Sequence, residues 1–330
     1  MKTKDKLLSL LEEYRGSYFS GEEIAEKLSV TRAAVWKAVK SLREEGYQID
    51  AVQNKGYCLA VQTDILSSQG IRKYLGPVCK DLELEILAEV DSTNAWIRQK
   101  AAVGAEEGCT IIANEQTCGK GRWGRSFYSP AGTGIYMSIL LRPQGWSPEK
   151  AVRLTTMAAV SACEAAEEIS GEKAEIKWVN DIYMRGKKVS GILTEASFSL
   201  ESGCVDYAVL GIGFNVYKPE GGFPEELKHT AGAVFDSRQN DGKNRLAAEF
   251  LNRFMQYYTA RDMSEYKSRY RERSMVIGKE ISVVLPGGSK KGVALDVDEE
   301  CRLVVRLEDG KLERLSSGEI SIRVNLDFAE

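Results

Sequence analysis

Between Gln116 and Pro130 the chain reads QTCGKGRWGRSFYSP, with Gly119, Gly121 and Gly124 interleaved among Lys120, Arg122 and Arg125. Glycine lets a backbone take φ > 0 and lie close against a ligand. Lysine and arginine supply donors that neutralise phosphate or carboxylate. The stretch therefore has the composition of a loop that wraps a small anion. Its G-x-G-x-x-G spacing would mark a dinucleotide site only if the loop opened into a helix. Here Cys109–Ala113 before it and Ile135–Leu141 after it are strand-like apolar runs, so the unit is strand–loop–strand. No G-x-x-x-x-G-K-[ST] occurs, which removes the Walker P-loop. Ordering three glycines among three cations is costly without a ligand, which weighs against a merely solvated basic hairpin.

Other polar clusters stand apart from this loop. Asp91-Ser92-Thr93-Asn94 precedes an alanine-rich helix expected over 95–105. One capping residue would suffice there, and four in a row suggest a helix end that also holds a polar ligand. Near the N-terminus, Lys27, Arg32, Lys37, Lys40 and Arg43 fall in a stretch with no acid. The apolar period places helices at 5–14, 22–28 and 32–45, the last ending at Gly46 as a C′ glycine. A hairpin follows, strand 47–52, turn Asn54-Lys55-Gly56 and a return at 57–59. Three helices and a hairpin describe a winged helix-turn-helix whose third helix enters the DNA major groove, with Lys55 on the wing touching backbone. The plainer reading is a helical interaction module with one basic face; the acid-free face and the wing favour DNA.

The elements that must position these residues follow from pattern. A strand is expected over 82–90, a long helix from Ser147-Pro148 to Gly171, a short strand over 175–178, a turn at Asn180-Asp181, strands over 187–197 and 204–216, and helices over 244–259 and 263–273. Strands outnumber connecting helices, so the central layer is mixed α/β rather than doubly wound. Five short strands over 279–284, 291–297, 303–307, 311–315 and 320–324 read as a small β-barrel. The chain has 330 residues and a net charge of −3, so any nucleic-acid contact is a local basic surface. No apolar run approaches membrane-spanning length, and the N-terminus lacks a signal-peptide core. The seven cysteines form no C-x-x-C and read as reduced thiols of a cytoplasmic protein. A single histidine, His229, argues against His-rich metal sites and nucleophile–His triads.

In order and spacing these motifs resemble the bifunctional biotin protein ligases, ligase and biotin-operon repressor in one chain. The loop 116–125, Lys177-Trp178-Val179-Asn180-Asp181-Ile182, Lys188-Val189-Ser190-Gly191-Ile192-Leu193-Thr194-Glu195, Gly211-Ile212-Gly213-Phe214-Asn215-Val216 and Asp91-Ser92-Thr93-Asn94 carry the likeness. It implies a multi-domain α+β protein: a winged helix-turn-helix over 1–62, a class II synthetase-like ligase domain over 63–274, and an SH3-like β-barrel over 275–330. The family loop usually reads G-R-G-R; Lys120 keeps the charge but not the planar fork. Phe127 stands where a tryptophan is usual, and Val179 replaces a proline.

The implied reaction joins biotin to ATP as biotinyl-adenylate and then passes biotin to a lysine of a biotin carboxyl carrier domain. The resemblance assigns Lys188 and Arg122 to catalysis. Biotin falls to Ser92, Thr93, Asn94, Gln116, Lys120, Gly121, Arg122 and Lys188. The nucleotide falls to Arg122, Arg125, Phe127, Asn180, Asp181 and Asn215, with Asp181 also a Mg²⁺ ligand. DNA contacts fall to Thr31, Arg32, Lys37, Lys40, Arg43 and Lys55. Operator DNA and a homodimer are the further partners, with no membrane. A ligand-sensing repressor without transferase activity and a lipoate-type ligase are the alternatives.

Overall fold

The computed structural model describes residues 2–199, 201–285, 288–316 and 318–322. Contacts divide the chain into two compact units, 1–80 with 237–249, and 81–236 with 250–330.

The first unit opens with helices α1 (Thr3–Glu13), α2 (Gly21–Leu28) and α3 (Arg32–Glu44). Helix α2 starts in a capping box, where the Ser20 side chain accepts from Glu23 N and the Glu23 carboxylate accepts from Ser20 N. This leaves fewer amides unpaired at the helix start. Thr31 caps α3 through Ala34 N, and Gly46 leaves it at φ 92°, a conformation cheap only without a Cβ. Leu7, Leu8 and Leu11 of α1 meet Ile24 of α2 and Val35, Val39 and Leu42 of α3 in one core. Strands β1 (Ile49–Val52) and β2 (Gly56–Leu59) pair antiparallel as the expected hairpin. Helix α4 (Ser68–Arg72) follows.

Residues 63–80, read from sequence as the start of the central domain, pack in this unit with 237–249. The reason is a buried charge cluster. Arg15 reaches Glu12 at 2.7 Å and Asp241 at 2.8 Å, and Lys73 lies 2.7 Å from Glu12 and 2.6 Å from Asp241. Tyr74 Oη donates to Asp241 at 2.8 Å. Asn244 donates to Asp241 and to the Ile65 carbonyl, and accepts from Ser67 N. Each buried charge thus has an opposite charge and further hydrogen bonds, the condition under which burial is tolerable.

The second unit is built on a seven-stranded sheet in the order β3-β4-β5-β9-β8-β7-β6. The strands are β3 (Glu83–Leu87), β4 (Cys109–Ala113), β5 (Gly134–Leu141), β6 (Ala174–Lys177), β7 (Asp181–Met184), β8 (Lys187–Phe198) and β9 (Val205–Asn215). Only β3 and β4 run parallel; the other neighbours are antiparallel. The mixed layer expected from sequence is thus present, although Asp181 begins a strand where a turn was expected. Helix α5 (Thr93–Ala102) packs through Ile97 and Ala101 on Ile111, Leu140 and Val209. Helix α6 (Val152–Ser170) is buried without interruption from Leu154 to Ala166 and ends at Gly171, φ 74°. Its alanines let it lie close to the sheet. Helices α7 (Gly242–Thr259) and α8 (Ser264–Glu272) precede the tail.

The tail is a five-stranded antiparallel sheet, β13-β12-β11-β10-β14, formed by Glu280–Leu285, Gly288–Val297, Leu303–Leu307, Leu312–Leu315 and Glu319–Ile322 for β10 to β14. The expected last strand, to Val324, runs past the described residues. Trp178 Nε1 donates to the Cys301 carbonyl at 3.2 Å, and Tyr270 Oη donates to the Val179 carbonyl. These bonds tie the segment before Asn180 to this sheet and to α8.

Replacing Asp241 by Ala removes one of the two buried carboxylates that hold Arg15 and Lys73, and with it the acceptor for Tyr74 and Asn244. Urea unfolding should show a loss of about 3–5 kcal/mol. Lys4→Ala, which breaks the exposed pair with Glu45, should cost no more than about 1 kcal/mol.

Candidate functional site

The start of α5 lies in one polar network. Ser92 is the N-cap but makes no side-chain cap. Gln116, from the glycine loop, takes that role: its Oε1 accepts from Thr93 N at 2.9 Å and from Thr93 Oγ1 at 3.1 Å. Its Nε2 donates to Ser129 Oγ, which fixes the orientation of the amide. Ser138, fully buried on β5, donates to Asn94 Oδ1 at 2.6 Å and lies 2.7 Å from Thr93 Oγ1. Asn94 Nδ2 then donates to Glu195 at 2.7 Å and to the Leu193 carbonyl at 3.3 Å, and Glu195 is held in turn by Arg98. Buried polar groups are tolerated when satisfied in this way.

The glycines of β8 and β9 make room for that network and for the loop. A Cβ on Gly211 would fall 2.1 Å from Asn94 Oδ1, and one on Gly213 2.4 Å from the Phe127 ring. Gly191 also lies against Phe127. The Phe127 ring meets Tyr136 edge-on at 6.4 Å, and burial pushes the Tyr136 phenol well above its usual pKa.

The loop folds back on itself. Gly121 N donates to the Arg125 carbonyl at 2.7 Å and Phe127 N to the Gly119 carbonyl at 2.8 Å. Trp123 takes φ 58° at its tip, a left-handed conformation uncommon for a large residue. Arg122 leaves the loop to donate to Asn180 Oδ1 at 3.2 Å and to the Gly318 carbonyl at 3.1 Å. Asn180 Nδ2 donates to the Ile192 carbonyl, so its side chain joins loop to β8. Across the β7–β8 hairpin, Lys188 Nζ lies 2.7 Å from Asp181 Oδ1. Burial, helped by the Asp181 charge, pushes the nearby Tyr183 phenol up to about 12.

Ser92, Thr93, Asn94, Gln116, Lys120, Gly121, Arg122, Arg125, Phe127, Asn180, Asp181 and Lys188 all line a single cavity. Asn215 is not among its lining residues; its amide is directed at the Gly232 carbonyl. Sequence reasoning gave no role to Ser138, Ser129, Glu195 or the strand glycines. Nothing marks Ser129 or Ser138 in isolation, whereas glycines spaced by two along an apolar strand signal a close approach on one face. The cavity offers cations and a carboxylate on one side and a matched donor–acceptor set on the other. That arrangement suits an anionic ligand with a small polar head.

The basic helix is partly as expected. Arg32, Lys37 and Lys40 are exposed, with Lys40 3.9 Å from Glu44. Thr31 spends its hydroxyl as the cap of α3. Arg43 turns back to the Ile49 carbonyl at 2.9 Å, anchoring β1. Lys55 sits over the Tyr18 ring.

Residues 3–58 match the HTH domain family, 87–215 the biotin/lipoate A/B protein ligase family, and 276–323 the biotin protein ligase C terminal domain. The bifunctional ligase/repressor BirA of Bacillus subtilis is 32% identical, with 96% of this chain and 97% of that one covered. The Escherichia coli protein of the same name is 28% identical, with 96% of each covered. A biotin protein ligase from Aquifex aeolicus, solved with biotin and ATP, superposes with a TM-score of 0.60 at 28% identity, over 73% of this chain and 98% of that one.

Gly211→Ala should overpack the Asn94 network and cost about 1–3 kcal/mol in a denaturant melt. At Gly121 a Cβ meets nothing nearer than 3.4 Å, so Gly121→Ala should stay within about 0.5 kcal/mol of wild type.

Proposed function

The chain belongs to the biotin/lipoate A/B protein ligase family in its bifunctional ligase/repressor form, and on that premise we propose that it converts biotin and ATP to biotinyl-adenylate and pyrophosphate, transfers biotin to a lysine of a biotin carboxyl carrier domain with release of AMP, and represses transcription as an adenylate-bound dimer. The observation that carries the reading is the single cavity that gathers the glycine loop, the Lys188–Asp181 pair and the buried network at the start of α5.

A carboxylate is already a nucleophile, so adenylation needs alignment and charge neutralisation rather than a dedicated base. Lys188 meets the biotin carboxylate and the α-phosphate, exchanging Asp181 for them. Arg122, steadied by Asn180 and Gly318, holds the bridging anion, and Arg125 adds charge from the loop. Phe127 packs against the base. Ser92, Thr93 and Gln116 bind the ureido head, with Lys120 and Gly121 closing over it. Asn94, which lines the same cavity, joins them, and through Ser138 it also holds Thr93 in register. Asn215 acts at a distance from the cavity by securing Gly232.

Among the described residues no group of three or more His, Cys, Asp or Glu side chains could hold a metal ion. One carboxylate, Asp181, lines the cavity, which fits a Mg²⁺ ion that arrives on the nucleotide phosphates and takes one protein ligand. When bound, such an ion would supply charge neutralisation at the phosphates.

We read the division of labour as DNA binding in 1–62, ligase chemistry in 63–274 and an SH3-like barrel in 275–330, with Arg122 the contact through which the last reaches the site. No helix among the described residues is long and apolar enough to cross a membrane, and the seven thiols are unpaired with one another. We place the protein's work in the cytoplasm, where thiols stay reduced. One helix-turn-helix gives few contacts, so a monomer binds DNA near the non-specific range; two at fixed spacing read a palindrome.

Pyrophosphate release should require biotin and fail with lipoate, and transfer to a carrier domain should follow. Release with no transfer would replace this reading by a ligand-sensing repressor; release with lipoate would replace it by a lipoate-type ligase. Lys188→Ala should lower release by roughly 10²-fold or more with the unfolding midpoint retained. Sedimentation and DNA binding should both respond to biotin plus ATP, because linkage makes DNA and adenylate strengthen each other. An unchanged mass with tight DNA binding in the ligand-free protein would remove the coupling.

A further inference from the structure

Helix α3 carries a residue that the basic pattern does not explain. Trp36 is 57% exposed, the most exposed large apolar side chain of its unit among the described residues. Val35, Ala38, Val39 and Leu42 face the core, while Arg32, Ala33, Trp36, Lys37 and Lys40 are exposed. At about 100° per residue, that outward arc spans about 140° with Trp36 and Lys40 near its middle. Lys40 Nζ lies 5.9 Å from the centre of the indole ring. One turn toward the N-terminus, its neighbours on this face are Arg32 and the small Ala33, both exposed. Arg43 is committed to β1, which leaves the first half of α3 as the face available to a ligand. In helix-turn-helix proteins that half lies against base edges in the major groove.

A tryptophan ring offers a large apolar surface and one N–H donor. Of the base edges in the major groove, thymine alone presents a methyl group, beside an O4 acceptor. We propose that Trp36 is the residue with which this chain recognises thymine, its ring seated against C5-methyl groups while Arg32, Lys37 and Lys40 bind the flanking phosphates. The proposal rests on the repressor reading above and adds its base preference. The cations set affinity and its salt dependence, which are blind to sequence. Trp36 sets which sequence is held.

The test uses the full chain with biotin and ATP, and duplexes selected by it from a random-sequence pool. In the selected duplex each thymine is replaced in turn by uracil, which removes only the methyl. Wild type should lose roughly fourfold or more in affinity at one or more positions of a half-site, the equivalent of one buried methylene. Trp36→Phe should keep that penalty. Trp36→Ala should lose it and keep the slope of affinity against salt. Circular dichroism and the unfolding midpoint establish that the alanine variant is folded; should it not fold, the uracil scan of wild type decides alone. Uracil tolerated everywhere by wild type, or unchanged penalties in folded Trp36→Ala, overturns the assignment and leaves the repressor reading in place. A pool that yields no consensus overturns the repressor reading, and this assignment with it.

Discussion

The Asn94 amide is the fixed point of the catalytic unit. Its oxygen accepts from Ser138 on β5, and its nitrogen donates to Glu195 and the Leu193 carbonyl on β8. A buried amide left short of partners would cost on the order of 1–3 kcal/mol, so α5, β5 and β8 must keep their spacing. Gly211 on β9 is then obligatory, because the amide occupies the volume a Cβ would need. The helix end so placed meets Gln116, and through it the whole glycine loop. Rigid elements thus set the geometry, and the loop is hung from them, the arrangement by which a site is held to ångström tolerance.

Much of this was legible in the sequence because it is local. The C′ glycine of α3 and the hairpin at Lys55 each depend on neighbours within a few residues. The glycine loop announced itself by composition, and twelve of the thirteen residues assigned to ligands from sequence line one cavity. Asn215 did not join them, since whether a strand-end asparagine faces a cavity or a neighbouring carbonyl is decided by the register of the loop at Gly232.

What stayed hidden is non-local. Ser138 is an ordinary small residue in an apolar strand until β5 is laid beside α5. Glu195 has no role assigned in the sequence, and acquires one where Asn94 and Arg98 converge on it. Arg43 looked like one more cation of a DNA-binding face, but the fold spends it on the Ile49 carbonyl. Asn180 looked like a turn former and proves to be the joint between Arg122 and β8. In each case residue type gives the capacity for a bond, and only chain topology decides where that capacity goes.

The buried cluster around Arg15 also bears on how the protein is made. Most N-terminal domains complete their cores while the ribosome is still translating the rest of the chain. Here Glu12, Arg15 and Lys73 are synthesised early, yet Asp241, the second carboxylate that Arg15 and Lys73 share, comes far later in the message. The first helices can collapse on their leucines at once. Arg15 and Lys73 can meet Glu12 early, but their cluster is not complete until residue 241 has left the exit tunnel. The first unit to begin folding is therefore among the last to be finished.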